Sequence, residues 1–159
     1  MAPLVDLRRY SFPIVPIRLA LGFAFVGGAR LLGVTSGGSA RLFGLGAFIF
    51  ALAMLTSRRR RLFWHRAEEA TPIDAAAPIA DWAWTISRSM FPSTLAMTAL
   101  TALALPFNPA LAALLAGVLA GMGVVGLVFA VELVLWERGR NSRLLATTGL
   151  KTELYVRPG

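Results

Sequence analysis

Residues 110–136, ALAALLAGVLAGMGVVGLVFAVELVLW, decide the fold, because they form a long apolar run whose one charged residue is Glu132. A helix needs about 20 apolar residues to cross the hydrocarbon core of a bilayer. This run therefore predicts a membrane-spanning helix that is long enough to tilt. The whole chain is 57% hydrophobic and only 15% charged, whereas soluble domains carry about 25% charged residues. A chain of 159 residues would struggle to hide so much apolar surface from water, which indicates an integral membrane protein.

Three further apolar stretches predict spans at about 13–34, 40–56 and 82–105. The connections TSGGS at 35–39 and PFNP at 106–109 are short and rich in Gly, Pro or Asn. Such connections end one helix and begin the next, so consecutive spans should be antiparallel neighbours.

The predicted fold class is therefore all-α, an integral membrane four-helix bundle. Residues 1–137 form the transmembrane domain, residues 57–81 a polar basic loop within it, and residues 138–159 a soluble tail.

The distribution of basic residues predicts the orientation. All but two of the sixteen Lys and Arg residues lie on the side that holds both termini and the 57–81 loop, and the exceptions are Arg30 and Arg41. Cytoplasmic segments carry the excess of positive charge in membrane proteins. We therefore expect a protein of the cytoplasmic membrane with N-in/C-in topology.

The densest basic patch, TSRRRRLFWHRAEE at 56–69, adjoins the second span. It serves first to fix the orientation, and it also suits contact with anionic lipid head groups, each basic residue contributing about 1 kcal/mol. Nucleic acid is disfavoured as a partner, since the chain has no room for a recognition fold. The expected head-group contacts are Arg58, Arg59, Arg60, Arg61, Trp64 and Arg66.

Two charges lie inside predicted spans, Arg18 in the first and Glu132 in the fourth. Ionisable residues within a span are expensive and usually paired, and counting from the cytoplasmic ends of their helices predicts similar depths for the two. We expect an Arg18–Glu132 ion pair. Two alternatives stay open: both side chains could snorkel to the interface, or Glu132 could carry protons or bind a cationic substrate.

Small residues recur at four-residue spacing in the first and fourth spans. Such stripes let helix backbones approach closely in lipid. We expect them to pack inside the bundle, with docking against a partner subunit as the alternative. The stripe residues are Ala20, Ala24, Gly28, Gly117 and Gly121. In the third span, the hydroxyls of Thr94, Thr98 and Thr101 are expected to bond back to carbonyls of their own helix.

Groups that could carry chemistry are scarce. The chain has no cysteine and one histidine, His65, in the basic loop. All acidic residues fall on the predicted cytoplasmic side, so an external enzyme with paired acids is disfavoured. The sequence indicates no catalytic residues, no metal site and no cofactor.

The tail ends in TELYV, which alternates enough to form a short strand. Such a strand cannot stand alone, so it either stays disordered or adds to the sheet edge of another protein. We favour docking on a partner through Leu154, Tyr155 and Val156.

These patterns favour a non-enzymatic accessory or assembly subunit of a larger membrane complex, respiratory or transport in kind, with other subunits and anionic lipid as partners. The alternative is a small oligomeric transporter or channel that uses Glu132 and Arg18.

The first span also resembles the opening helix of DoxX-like membrane proteins. In IRLALGFAFVGGARLLG, residues 17–33, an Arg-Leu pair is followed by Leu-Gly, and then by a Gly and a basic residue before Leu. The resemblance implies a four-helix architecture and a third possible function, a quinone-linked redox subunit. It covers about a tenth of the chain and transfers no redox site residue.

Overall fold

The computed structural model describes residues 4–74, 78–79, 93–147 and 153–158. The described chain is mostly helical, with five helices and a small four-stranded sheet. In chain order the elements are β1 Leu4–Asp6, α1 Leu7–Leu31, α2 Ser36–Leu55, α3 Arg58–Glu68, β2 Thr71–Pro72, α4 Ser93–Phe107, α5 Pro109–Arg140, β3 Ser142–Thr147 and β4 Leu154–Pro158.

Three helices, α1, α2 and α5, are long and apolar enough to cross a membrane. Large apolar side chains on them face outward, among them Phe23, Leu31 and Phe48. Helices that are apolar on their outer faces as well as their packed ones suit a lipid solvent. The fourth apolar helix, α4, has 15 residues. It covers the second half of the span predicted at 82–105, whose residues 82–92 lie outside the described residues.

Helix α1 begins at Leu7, six residues before the predicted start at Pro13. The Asp6 carboxylate accepts hydrogen bonds from the backbone N–H groups of Arg8 (2.9 Å) and Arg9 (3.4 Å). This N-cap satisfies donors that a helix start leaves unpaired. The helix then continues through Pro13 and Pro16, so the first proline does not mark its beginning.

Helix α2 also begins earlier than predicted, at Ser36 rather than at residue 40. Thr35 Oγ1 accepts a hydrogen bond from the Gly38 N–H at 3.2 Å. The stretch expected to form a flexible turn is therefore the capped first turn of a helix.

The last long helix, α5, begins as the PFNP motif predicts. Asn108 Oδ1 accepts from the Leu111 N–H at 3.0 Å, and Pro109 occupies the first turn, where its missing N–H costs nothing. The last helical residue is Arg140, four residues beyond the predicted span end. Asn141 follows as the C-cap and has a left-handed φ of 47°.

Helix α5 is the centre of the bundle, and α1 and α2 pack along different faces of it. Gly117 and Gly121 of α5 lie against Phe43 and Ala47 of α2. Both residue numbers rise together, so these two helices run parallel.

Helix α1 runs the other way along α5. Gly123 and Gly126 lie against Leu19 and Val15 respectively. One number rises while the other falls, so α1 and α5 are antiparallel, as the sequence predicts for the first and last spans.

The sheet corrects the all-α expectation. Its strand order is β1-β3-β4-β2. Strand β3 pairs antiparallel with both β1 and β4, and β2 pairs parallel with β4. The strands come from both chain termini and from the connection after α3. The sequence therefore predicted only the C-terminal strand, at TELYV, and not the sheet, because the pairing partners are distant along the chain.

The sheet and α3 pack over one end of the bundle. A buried cluster joins Ala67 of α3, Leu133 of α5, Leu144 and Ala146 of β3 and Leu154 of β4. We call this the capped end; it holds the start of α1 and the ends of α2 and α5. The opposite, uncapped end holds the α1–α2 and α4–α5 turns.

Candidate functional site

A polar cluster at the capped end is built around Glu132 of α5. Arg60 of α3 forms an ion pair with the Glu132 carboxylate, donating from Nη2 to Oε1 and from Nε to Oε2. Trp64 Nε1 donates to Glu132 Oε2 at 3.1 Å. Arg60 and Trp64 are four residues apart on α3, so one helical face presents both.

The predicted Arg18–Glu132 pair is wrong: Glu132 takes Arg60 as its ion-pair partner. The reason is that Arg18 and Glu132 lie at different depths along the bundle. Arg18 lies next to Leu19, which packs on Gly123, and Glu132 is nine residues further along α5, about 13 Å at a rise of roughly 1.5 Å per residue. Counting from the predicted helix ends gave a false level, because those ends do not lie at the same depth: Val15, near the predicted start of the first span, packs against Gly126, well before the predicted end of the fourth.

Arg18 contacts α4 instead. Its Nε donates to Thr94 Oγ1 at 2.8 Å, and its Nη2 lies 3.5 Å from Ser93 Oγ. Thr98 and Thr101 bond back to the carbonyls of Thr94 and Met97, as predicted. The Thr94 hydroxyl, fully buried, accepts from Arg18, which the sequence analysis did not foresee. The signal in the sequence was an Arg inside a span, because its guanidinium can donate to hydroxyl oxygens as well as to carboxylates.

A cavity of about 670 Å³ lies beside these contacts, in the half of the bundle nearer the capped end. Every described helix contributes to its lining. Both Arg18 and Arg60 reach it, whereas most of the wall is apolar. The volume is within the range typical of small-molecule sites, about 300–1,000 Å³.

Helix α3 has two different faces. Arg60 and Trp64 are partly buried against α5, whereas Arg58, Arg59 and Arg61 are exposed. Arg66 is exposed as well. The six residues expected at lipid head groups therefore divide, because Arg60 and Trp64 use their polar atoms on Glu132. The exposed arginines of α3 remain available for the predicted contact with lipid head groups.

The small-residue stripes divide in the same way. Gly117 and Gly121 are buried, and a Cβ at Gly121 would lie 2.8 Å from the Ala47 carbonyl oxygen. In α1, however, Ala20 and Ala24 are exposed, and a Cβ at Gly28 would meet the Leu105 side chain of α4 at 3.3 Å. The expectation of internal packing is right for the α5 stripe and wrong for Ala20 and Ala24.

The glycine of α1 that lies against the α5 backbone is Gly22. A Cβ there would lie 2.9 Å from the Ala116 carbonyl oxygen. The sequence spacing alone did not show which face of α1 packs on α5, because either Gly22 or Ala20 could begin a stripe of small residues.

The C-terminal strand lies within the protein's own sheet. Leu154, Tyr155 and Val156 pair with β3 on one side, and Tyr155 and Val156 pair with β2 on the other. The predicted docking of these residues on a partner's sheet edge is therefore wrong, because both of their edges are occupied. Tyr155 Oη donates to Glu153 Oε2 at 2.8 Å, and this hydrogen bond raises the pKa of the Tyr155 phenol.

Two buried carboxylates at the capped end attach the sheet to the helices. Asp6 is 3% exposed and, besides capping α1, accepts from Arg143 Nη1 at 3.4 Å. Glu137 Oε1 accepts from the Leu144 backbone N–H at 3.1 Å. The sequence analysis singled out neither residue, although Asp6 precedes the helix in the way that N-caps do.

Within the described ranges, no three His, Asp or Glu side chains gather in a group that could hold a metal ion. His65 Nδ1 lies 3.4 Å from Glu69 Oε1, and both side chains are about two-thirds exposed. The pair is a surface contact of neighbours on one helix turn.

Three of the described helices are long and apolar enough to cross a bilayer, and α3 and a sheet pack over one end of the bundle, which indicates a helical membrane protein. Its more particular identity does not follow from similarity: no protein-family model, no curated protein and no solved structure matches the chain.

Proposed function

We propose that the protein is a non-enzymatic accessory subunit of a larger complex in the cytoplasmic membrane, respiratory or transport in kind. The carboxylate best placed for chemistry, Glu132, is engaged by Arg60 and Trp64, which supports a structural role for this cluster. Membership of the DoxX-like family, and with it a quinone-linked role, stays a prediction that rests on residues 17–33.

The proposed topology is four spans with both termini in the cytoplasm, the span at 82–105 including α4. The exposed arginines of α3 belong to the capped end, whereas Arg30 and Arg41 lie towards the uncapped end. Basic residues concentrate on the cytoplasmic side of membrane proteins, so this asymmetry supports a cytoplasmic location of the capped end.

Single-cysteine variants test the topology, since the chain contains no cysteine. Gly37→Cys lies in the first turn of α2 at the uncapped end, where a side chain meets no neighbour. Glu69→Cys lies on exposed surface beyond α3. In intact cells, a membrane-impermeant maleimide should label Gly37→Cys, and Glu69→Cys only after permeabilisation. The opposite pattern would invert the proposed orientation.

The observation that carries the accessory role is the outer face of α1. Ala20 and Ala24 are exposed there, and a Cβ at Gly27 would meet no atom within 4 Å. Helices associate in lipid through such small residues, and the buried contacts of Gly22 and Gly117 show the same principle in use within this chain. The outer face of α1 is therefore suited to a transmembrane helix of another subunit.

The double variant Ala20→Leu with Ala24→Leu tests this docking face. Both alanines are exposed, so leucine should be accommodated at the surface and thermal stability in detergent should change little. The protein is cross-linked in intact cells of its natural host. The amount of partner membrane protein recovered with it should fall at least fivefold, the equivalent of about 1 kcal/mol of binding free energy.

Ala102→Leu is the matched control, because Ala102 is also an exposed alanine but lies on α4 rather than on α1. It should leave the cross-linked partner unchanged. Equal cross-linking in the double variant and the control would remove α1 as the docking face.

A further inference from the structure

A second, smaller concavity lies at the capped end, between α3 and β4. It has a volume of about 290 Å³, and its described lining consists of Arg59, Leu62, Phe63, Arg66 and Leu154. The four lining residues of α3 occupy positions i, i+3, i+4 and i+7, so they share one side of that helix. Two arginines therefore flank an apolar centre, to which the strand adds Leu154. We call this concavity the α3–β4 groove.

Helix α3 follows the second span directly. Helix α2, which is long and apolar enough to cross a membrane, ends at Leu55, and α3 begins at Arg58. Arg60 and Trp64 bind Glu132 and so hold α3 against α5. With α2 placed in the membrane, the α3–β4 groove is therefore within reach of the lipid head groups of the adjoining leaflet.

The arginines of the groove have no counter-ion among the residues that the structure describes. Neither Arg59 nor Arg66 forms a hydrogen bond or an ion pair there, and no Asp or Glu belongs to the described lining. The carboxylates on α3 and against it have other partners, and these pairs are Glu68 with Arg140, Glu69 with His65 and Glu132 with Arg60. The groove therefore has a net positive charge, and the guanidinium donors of its two arginines remain available for a ligand.

The spacing of Arg59 and Arg66 favours a ligand with two anionic groups. Seven residues are nearly two turns of helix, so the two arginines lie on the same side, about 10 Å apart along the axis. Each guanidinium can bind a phosphate through two parallel hydrogen bonds. Leu62 lies between them and is 46% exposed, so the groove also offers apolar contact to the glycerol esters of a lipid. A head group with two phosphates joined by a short linker matches this arrangement better than a head group with one.

We propose that the α3–β4 groove binds the head group of one phospholipid that carries two phosphates, which is the chemistry of cardiolipin. Arg59 and Arg66 each hold one phosphate, the glycerol esters contact Leu62, and the acyl chains remain in the bilayer. The site is more specific than the head-group contact that the sequence predicts along α3, since it uses two arginines and excludes Arg58 and Arg61. It rests on the proposed membrane placement of α2, but not on the accessory role.

Lipid retention by the purified full-length protein tests the site. The protein in mild detergent is incubated with cardiolipin and phosphatidylglycerol of the same acyl chains, at equal total phosphate, and bound lipids are counted by native mass spectrometry. We expect one cardiolipin per protein, retained about fivefold more strongly than phosphatidylglycerol, since its second phosphate engages one more basic residue. Equal retention per phosphate would overturn the proposal. Because the measurement needs no bilayer, its failure is separate from that of the topology or the accessory role, which cysteine labelling and cross-linking test.

Substitutions of four arginines of α3 test whether the groove holds the lipid. Arg59→Gln and Arg66→Gln should each weaken cardiolipin retention about fivefold, the equivalent of about 1 kcal/mol for one basic residue. Arg58→Gln and Arg61→Gln are matched controls, because they remove the same charge from exposed positions of the same helix outside the described lining. The controls should leave retention nearly unchanged. Equal losses in all four variants would assign the lipid to diffuse attraction by the helix and overturn the site.

An added carboxylate tests the centre of the groove. Leu62→Glu places a negative charge between Arg59 and Arg66, and it should reduce cardiolipin retention more than either arginine substitution, because it offers both arginines an ion-pair partner. His65→Glu adds the same charge at a position of α3 that is 69% exposed and lies outside the described lining. Circular dichroism should show the same helix content in both variants, since both positions are exposed. Equal losses of retention in the two variants would contradict a site at Leu62.

Inorganic pyrophosphate, which carries two phosphates without a lipid, distinguishes the source of the ligand. At the same concentration as cardiolipin it should not displace the bound lipid, because it lacks the apolar contact with Leu62 and Phe63. If it does displace the lipid, the groove binds a soluble diphosphate and the phospholipid proposal fails.

Discussion

The two halves of the bundle are held together by different means. Towards the uncapped end, α5 meets α2 and α1 through backbone contacts at Gly46, Gly117 and Gly22. Towards the capped end a cavity opens between the helices. There α1 still meets α5 at Gly123 and Gly126, while polar contacts from Arg18 and Arg60 join α1 to α4 and α3 to α5.

The difference shows what each kind of contact permits. Glycine-mediated packing leaves no room for anything between the helices, because a single added carbon would collide with the opposite backbone. Long polar side chains join helices across a gap and so leave space. The cavity therefore lies in the half where the small residues of α5 no longer meet α2.

The largest expected effect comes from adding one methyl group to the tight half. Gly117→Ala would drive its Cβ into the Phe43 backbone, which cannot move without shifting α2. Overpacking of this kind costs about 2–3 kcal/mol. Unfolding in detergent, followed by circular dichroism during titration with a denaturing surfactant, measures the loss.

Gly44→Ala is the matched control, since a Cβ at Gly44 meets no atom within 4 Å. It should be neutral or stabilise α2 by up to about 1 kcal/mol, because alanine favours helix over glycine. Equal destabilisation by both variants would mean that α2 and α5 do not touch through Gly117.

A smaller effect is expected from the polar half. Arg60 and Glu132 are 36% and 26% exposed, between the limits of surface and buried ion pairs. A double-mutant cycle with Arg60→Gln and Glu132→Gln should give a coupling free energy of about 1–2 kcal/mol. The same unfolding titration measures it, and a coupling near zero would remove the pair as a tie between α3 and α5.

The smallest coupling is expected between the two charges that the sequence analysis paired. Arg18 and Glu132 are about 13 Å apart along the bundle. A cycle with Arg18→Gln and Glu132→Gln should therefore be additive within about 0.5 kcal/mol. A coupling above 1 kcal/mol would restore the sequence-based pair and contradict the register of α1 on α5.

Local sequence patterns predicted the helices well where the signal is local. The apolar run at 110–136 lies within α5, and the PFNP motif marks the boundary between α4 and α5. The starts of α1 and α2 were missed because capping by Asp6 and Thr35 was not weighed against the prolines and glycines that follow. These signals were present in the sequence and could have been used.

The candidate site was less predictable. The sequence identified Arg18, Arg60, Trp64 and Glu132 as noteworthy but paired them wrongly. Their partners depend on how far each helix is shifted along α5, and a shift of two turns changes every partner. Apolar surface is similar all along these helices, so composition does not fix that shift.

The sequence by itself determined that most of the chain suits a lipid solvent and where the spans approximately lie. Both follow from the overall composition and from the length of each apolar run. Tertiary structure alone decided the helix register, the joining of both chain ends in one sheet, and the cavity beside Arg18. Those features depend on contacts between residues distant in the chain, such as Gly117 with Phe43 and Leu4 with Thr147. Their energy comes from close steric fit and backbone pairing, which no single segment of the chain contains.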